Sequence, residues 1–163
     1  MVPADVEILI VEDNLDDAEL ALHALRRENL ANAVAIARDG EEALDFMFCR
    51  GKFSHRSFDR QPRLVLLDLK LPKVTGLEVL KELKNDVRTK MVPVVILTTS
   101  REDRDMVSGY RLGVNAYIQK PVDFDQFREM VKRVGLFWLV TNQPPPASPG
   151  SATPVAEPVA VKV

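Results

Sequence analysis

Five times along this chain a short run of β-branched and aliphatic residues is followed by a polar loop and then by a helical pattern. The runs are VEILIV (6–11), AVAIA (33–37), RLVLLD (63–68), PVVILT (93–98) and NAYIQ (115–119). Each is too short to be a helix and too apolar to lie at a surface, which is how a strand buried on both faces reads. The intervening segments have the period of amphipathic helices. Ala18, Ala21, Leu22 and Leu25 form one stripe, with Asn14 as its N-cap and Asp16, Asp17 and Glu19 in a first turn that favours acids. Ala43, Leu44, Met47 and Phe48 form a second, behind Asp39 and Glu42 at capping-box spacing. Leu77, Leu80 and Leu83 mark a third helix after a Pro72-to-Gly76 loop, and a polar fourth helix is expected over about 102–112. The last starts at Asp123 and carries Phe124, Phe127, Met130, Val131, Val134 and Phe137. Strand and helix alternating in this way predict an α/β fold: an open, mostly parallel, doubly wound sheet with right-handed crossovers and helices on both faces.

Two segments break the rhythm. Residues 50–63, RGKFSHRSFDRQPR, hold five Lys or Arg and one acid, and read as a solvated insertion or a docking surface for an acidic partner. From Asn142 the sequence PPPASPGSATPVAEPVAVKV has six prolines and few core-forming residues, so residues 142–163 are expected to be a disordered tail behind a single domain spanning 1–141. A net charge of −2 gives no drive toward nucleic acid or anionic membrane, and neither is expected as a partner. The apolar runs fall short of the roughly 20 residues that span a bilayer, and MVPADVE lacks a signal core, so a cytoplasmic setting is expected. The lone Cys49 has no second cysteine to pair with and reads as a small buried hydrophobe.

The chemistry sits where strands end. Glu12 and Asp13 follow the first strand, Asp68 the third, Thr98 closes the fourth and Lys120 follows the fifth. In an open α/β sheet these carboxyl ends form one edge, where ligands bind, so distant positions converge there. Three carboxylates brought close repel one another unless a cation shares the site. Oxygen ligands without His or Cys favour Mg2+. A divalent cation, a lysine, a hydroxyl and a free carboxylate can together receive a phosphoryl group, with Asp68 as the nucleophile that becomes an acyl phosphate.

These residues, in IVEDN, LLDLKLPKVTG, VVILTTS and AYIQKPVD, make the chain from about Val6 to Val140 resemble a receiver domain of two-component response regulators. The resemblance implies a flavodoxin-like (βα)5 fold with strand order 2-1-3-4-5. It further implies that a partner histidine kinase phosphorylates Asp68, and that Asp13, Asp68 and the backbone carbonyl of Lys70 ligate Mg2+, with Glu12 acting through water. Lys120 would pair with the phosphoryl group, and Lys120–Pro121 would be a cis peptide. Thr98 would bond the new oxygens while Tyr117 repacks, a local charge event that biases a two-state surface. A receiver of this kind is a signalling protein, not an enzyme.

More narrowly, the basic insertion, LTTS, KPVDFDQF and the terminal FWLV resemble single-domain regulators of the cyanobacterial-phytochrome type. That resemblance implies a bacteriophytochrome-like kinase and a homodimer through the fourth helix, fifth strand and fifth helix, which Phe137 and Trp138 would join unless they seal the core; for the output, a separate target or a histidine phosphotransfer protein is a candidate partner. Two departures stand out: Thr99, where many receivers carry a smaller residue, and the cationic Lys70. They lead us to expect an acyl phosphate that lasts longer than minutes. Two alternatives are weaker. A Mg2+-dependent aspartyl phosphohydrolase needs a second aspartate two residues after the first, where this chain has Lys70. A phosphorylation-independent scaffold has no need to keep Glu12, Asp13, Asp68, Thr98 and Lys120 together.

Overall fold

Successive strand residues serve two cores in turn. The protein is described by a computed structural model covering residues 5–30 and 33–146. Strands β1 (Ile8–Val11), β2 (Val34–Ala37), β3 (Leu64–Leu67), β4 (Val94–Thr98) and β5 (Ala116–Gln119) form one parallel sheet in the order β2-β1-β3-β4-β5. Because strand side chains alternate between faces, Leu9, Val11, Val65, Leu67, Val94 and Ile96 pack on one side, and Ile8, Ile10, Leu64, Leu66, Val95 and Leu97 on the other. Helices α2 (Gly40–Met47) and α3 (Gly76–Asn85) close the first core; α1 (Leu15–Arg27) and α5 (Phe124–Leu136) close the second. Helix α4 (Asp103–Arg111) packs beside α3. This is the doubly wound, flavodoxin-like architecture and strand order that the sequence implied. Among the described residues no helix is long and apolar enough to cross a membrane.

The helix ends follow local chemistry. Asn14 Oδ1 accepts from Asp17 N at 3.0 Å to cap α1, and Asp39 Oδ1 accepts from Glu42 N at 2.7 Å to cap α2. The reciprocal bond of a capping box is missing at α2, because Glu42 turns instead to Arg38 N and the Lys52 ammonium. A complete box forms at α3, between Thr75 and Glu78.

Three expectations need correction. The 50–63 segment is no loose solvated loop: its single-turn helices Gly51–Phe53 and Phe58–Arg60 put Phe53 into the core against Phe46. Arg56 lies 3.6 Å over the Phe46 ring and donates to the Phe46 and Arg60 carbonyls. Three of its five basic residues are ion-paired, Arg50 with Asp45, Lys52 with Glu42 and Arg60 with Asp5. In α5, Phe124 is 71% exposed and Phe137 also faces out, while Phe127, Val131 and Trp138 hold the core face. The reason is position on the helix: Phe127, Val131, Val134 and Trp138 follow one stripe at spacings of four, three and four, whereas Phe137 lies to its side and Phe124 stands in the first turn, outside that cluster. Finally, the Lys120–Pro121 bond is trans, as are all peptide bonds of the described residues; trans is the intrinsically preferred form by about 0.5–1 kcal/mol, and Lys120 reaches its partners from it. The Pro-rich tail expected from residue 142 lies, from residue 147 onward, outside the described residues.

Candidate functional site

Glu12, Asp68 and Lys120 each extend a strand by one residue, and the sheet's hydrogen bonds pin all three. Glu12 N donates to Ala37 O, Asp68 N to Val11 O at 3.1 Å, and Lys120 N to Thr98 O at 2.7 Å. Their side chains therefore leave rigid backbone at the same edge of the sheet. The Lys120 ammonium donates to Glu12 Oε2 at 2.5 Å, Asp68 Oδ2 at 3.0 Å and Asp17 Oδ2 at 3.0 Å. Glu12, Asp68 and Lys120 are all buried. Asp13, beside them, is exposed. Carboxylate oxygens of Glu12, Asp13 and Asp68 all lie within 4.8 Å of one another.

Burial dominates the electrostatics of Glu12, pushing its carboxyl up to about 7 against the hydrogen bond from Lys120, while the nearby Asp68 charge pushes the same way. For Lys120 burial works against the charged form, but the hydrogen bond to Glu12 and the charges of Asp68 and Glu12 outweigh it and hold the ammonium above the ordinary lysine range. The pocket thus keeps a fixed positive charge beside Asp68. Its three converging carboxylates, all oxygen donors with one open to solvent, fit a hard divalent ion that retains part of its water shell.

Past Asp68 the chain turns tightly. Lys70 N donates to Asp68 Oδ1 at 3.3 Å, and Gly76 N donates to Leu69 O at 2.9 Å, drawing the start of α3 against the loop. A side chain at Gly76 has no room: a Cβ there would sit 2.2 Å from the Asp68 carbonyl oxygen. The Lys70 side chain points to solvent. Thr98 is fully buried, and its hydroxyl accepts from Ser100 N at 3.2 Å. Thr99 is exposed. Ser100 Oγ donates to Asp105 Oδ2 at 2.6 Å, tying the β4 loop to α4. The Tyr117 hydroxyl is buried without a hydrogen-bond partner among the described residues, and burial pushes its phenol up.

The structure thus brings together Glu12, Asp13, Asp68 and Lys120, with Lys70 meeting Asp68 through its backbone. Sequence reasoning missed Asp17, which it read only as an acid suited to a helix start. A signal was present: Asp17 stands four residues before the buried Ala21, on the stripe of α1 that faces the sheet, and both line a small cavity with Glu12, Asp68 and Phe127.

A doubly wound parallel sheet with buried acids and a lysine gathered at the carboxyl edge defines a flavodoxin-like domain of the signal-receiver class. The chain belongs to the response regulator receiver domain family, whose model matches residues 8–132. It is 38% identical to the response regulator Rcp1 of Synechocystis over 86% of this chain and 93% of that protein. A solved form of Rcp1 carries Mn2+ and superimposes with a TM-score of 0.79 at 37% identity over 85% of this chain and 98% of that one. The phosphorylated cyanobacterial phytochrome response regulator RcpA gives a TM-score of 0.81 at 39% identity, over 87% of this chain and 99% of that one. The bacteriophytochrome response regulator AtBRR is 50% identical over 86% of this chain and all of its own, with a TM-score of 0.66.

Proposed function

We propose that this protein is a response regulator that accepts a phosphoryl group on Asp68 from a partner histidine kinase of the bacteriophytochrome kind, in a Mg2+-dependent reaction. The observation that carries the reading is the buried Lys120 ammonium 3.0 Å from Asp68 Oδ2, beside three carboxylates able to share a cation. An Asp68 oxygen attacks phosphorus, the bond from phosphorus to the donor nitrogen breaks, and the donor imidazole leaves with that electron pair. Lys120 neutralises charge on the transferred oxygens. Glu12, Asp13, Asp68 and the Lys70 carbonyl would hold the Mg2+, which supplies further charge neutralisation. The identity to AtBRR and the similarity to RcpA support a phytochrome-type kinase as donor.

The output is carried by α4, β5 and α5. Thr98, bonded to Ser100 and through it to Asp105 of α4, is placed to relay the new charge. Tyr117, whose buried hydroxyl has no hydrogen-bond partner among the described residues, is free to repack. Exposed Met106, Val107, Tyr110 and Phe137 give this region an apolar surface for a target protein, a phosphotransfer protein or a second copy. The test is intact-mass measurement after incubation with Mg2+ and a small acyl-phosphate donor. Wild type should gain one phosphoryl mass, and Asp68→Asn or a chelated sample should not. An unmodified wild type would remove the proposal.

A further inference from the structure

Lysine carries three ammonium hydrogens, and Lys120 spends all three on carboxylates: Glu12, Asp68 and Asp17. Its side chain is only 5% exposed, so no hydrogen is held in reserve for a group arriving on Asp68. One bond must be surrendered. Asp68 cannot supply the whole exchange, because phosphorylating one of its oxygens adds three phosphoryl oxygens to a pocket that has lost only one carboxylate charge. Glu12 is buried as deeply as the lysine and belongs to the trio that can share a cation. Asp17 differs on both counts. It stands outside that trio, and its side chain is 33% exposed, so water can solvate the carboxylate once the lysine turns away.

Resting on the phosphoryl-acceptor reading above, we propose that Asp17 is a positioning residue that competes with the phosphoryl group for Lys120. It keeps the ammonium centred in the empty pocket and is the contact that yields when Asp68 is modified. A pair of this exposure is worth at most about 1 kcal/mol, so releasing it weakens phosphoryl retention by about two- to fivefold, taking 1.4 kcal/mol as about tenfold.

Removing the charge should therefore move two affinities in opposite directions, which loss of structure cannot do. The probe is beryllium fluoride, a phosphoryl mimic, titrated by fluorine NMR into protein saturated with Mg2+; Mg2+ affinity is measured separately by calorimetry. Asp17→Asn is expected to bind beryllium fluoride about two- to fivefold more tightly and Mg2+ more weakly, having lost one negative charge near the cation. Asp17→Ser is expected to behave alike, which guards against a fault peculiar to one variant. Asp16→Asn removes a neighbouring exposed acid with no bond to Lys120 and should leave both affinities within about twofold. If the Asp17 variants bind the mimic no better than wild type, or if Asp16→Asn gives the same tightening, the competition is refuted while the acceptor reading stands. If wild type itself fails to bind beryllium fluoride in Mg2+, the acceptor reading falls and this inference with it.

Discussion

Replacing Gly76 by alanine adds one methyl group at the tightest place near the site. The new Cβ would stand 2.2 Å from the Asp68 carbonyl oxygen and 2.6 Å from Leu69 Cα. Carbon and oxygen sit comfortably at about 3.3 Å or more, so the loop and the start of α3 must part by about 1 Å. Both obstacles are backbone, and the Gly76 N–H to Leu69 O bond of 2.9 Å holds the two sides together. Overpacking of this kind costs about 1–3 kcal/mol, offset by up to about 1 kcal/mol from the restricted unfolded chain. The expected net loss is about 1–2 kcal/mol. Gly135→Ala is the control. There the nearest atoms are the side-chain tips Leu25 Cδ2 at 2.8 Å and Leu30 Cδ1 at 3.1 Å, which can rotate aside, in a helix that gains from alanine. Urea titrations of the three proteins should show equal slopes, with the Gly76→Ala midpoint clearly lowest. The reasoning fails if Gly76→Ala matches or exceeds Gly135→Ala in stability.

Other outcomes follow from contacts outside the pocket. Arg56→Ala should lose about 2 kcal/mol, since it removes a cation stacked on Phe46 together with carbonyl hydrogen bonds; Arg56→Lys should recover less than half in thermal unfolding, because an ammonium cannot both stack and fork. Lys84 donates to Lys90 O, Val92 O and Asn115 Oδ1, and burial holds its pKa below the ordinary lysine value of 10.5. In the window just below 10.5 the unfolded chain binds more protons than the folded one, so stability should rise with pH there. Lys84→Met should flatten that rise relative to wild type, and an unchanged slope would show that Lys84 is not its source. Tyr117→Phe removes a buried hydroxyl with no partner among the described residues and should leave stability equal or slightly higher; a loss above about 1 kcal/mol in chemical denaturation would mean the hydroxyl is bonded.

Much of the fold could be read from the chain because the strands are mostly apolar and α1, α2, α3 and α5 start on the side-chain caps Asn14, Asp39, Thr75 and Asp123, so period and punctuation agree. The pocket was legible for the same reason: a polar residue directly after a buried strand has few places to go except the carboxyl edge. What escaped were side chains whose partners lie on other elements. Asp17 satisfies a helix dipole and a lysine about a hundred positions away at once, and only the first is local. Trp138 holds the core because it continues the stripe of Phe127, Val131 and Val134, while Phe124 stands in the first turn of the last helix, outside that cluster. Phe53 looked like part of a charged loop because its burial depends on Phe46, and Arg56 looked free because its aromatic partner lies in another segment.

The wiring of Lys120 also bears on how the chain is made. Its partners Glu12, Asp17 and Asp68 precede it by 108, 103 and 52 positions. During synthesis from the N-terminus, β1 and β3 emerge long before β5. Until β5 docks, the acids of the future pocket have no common counter-charge, so closing this edge of the sheet late and over long sequence separations gives assembly an electrostatic last step. Divalent cations in the surrounding solution would then act on a partly folded chain as stand-ins for a lysine still to arrive.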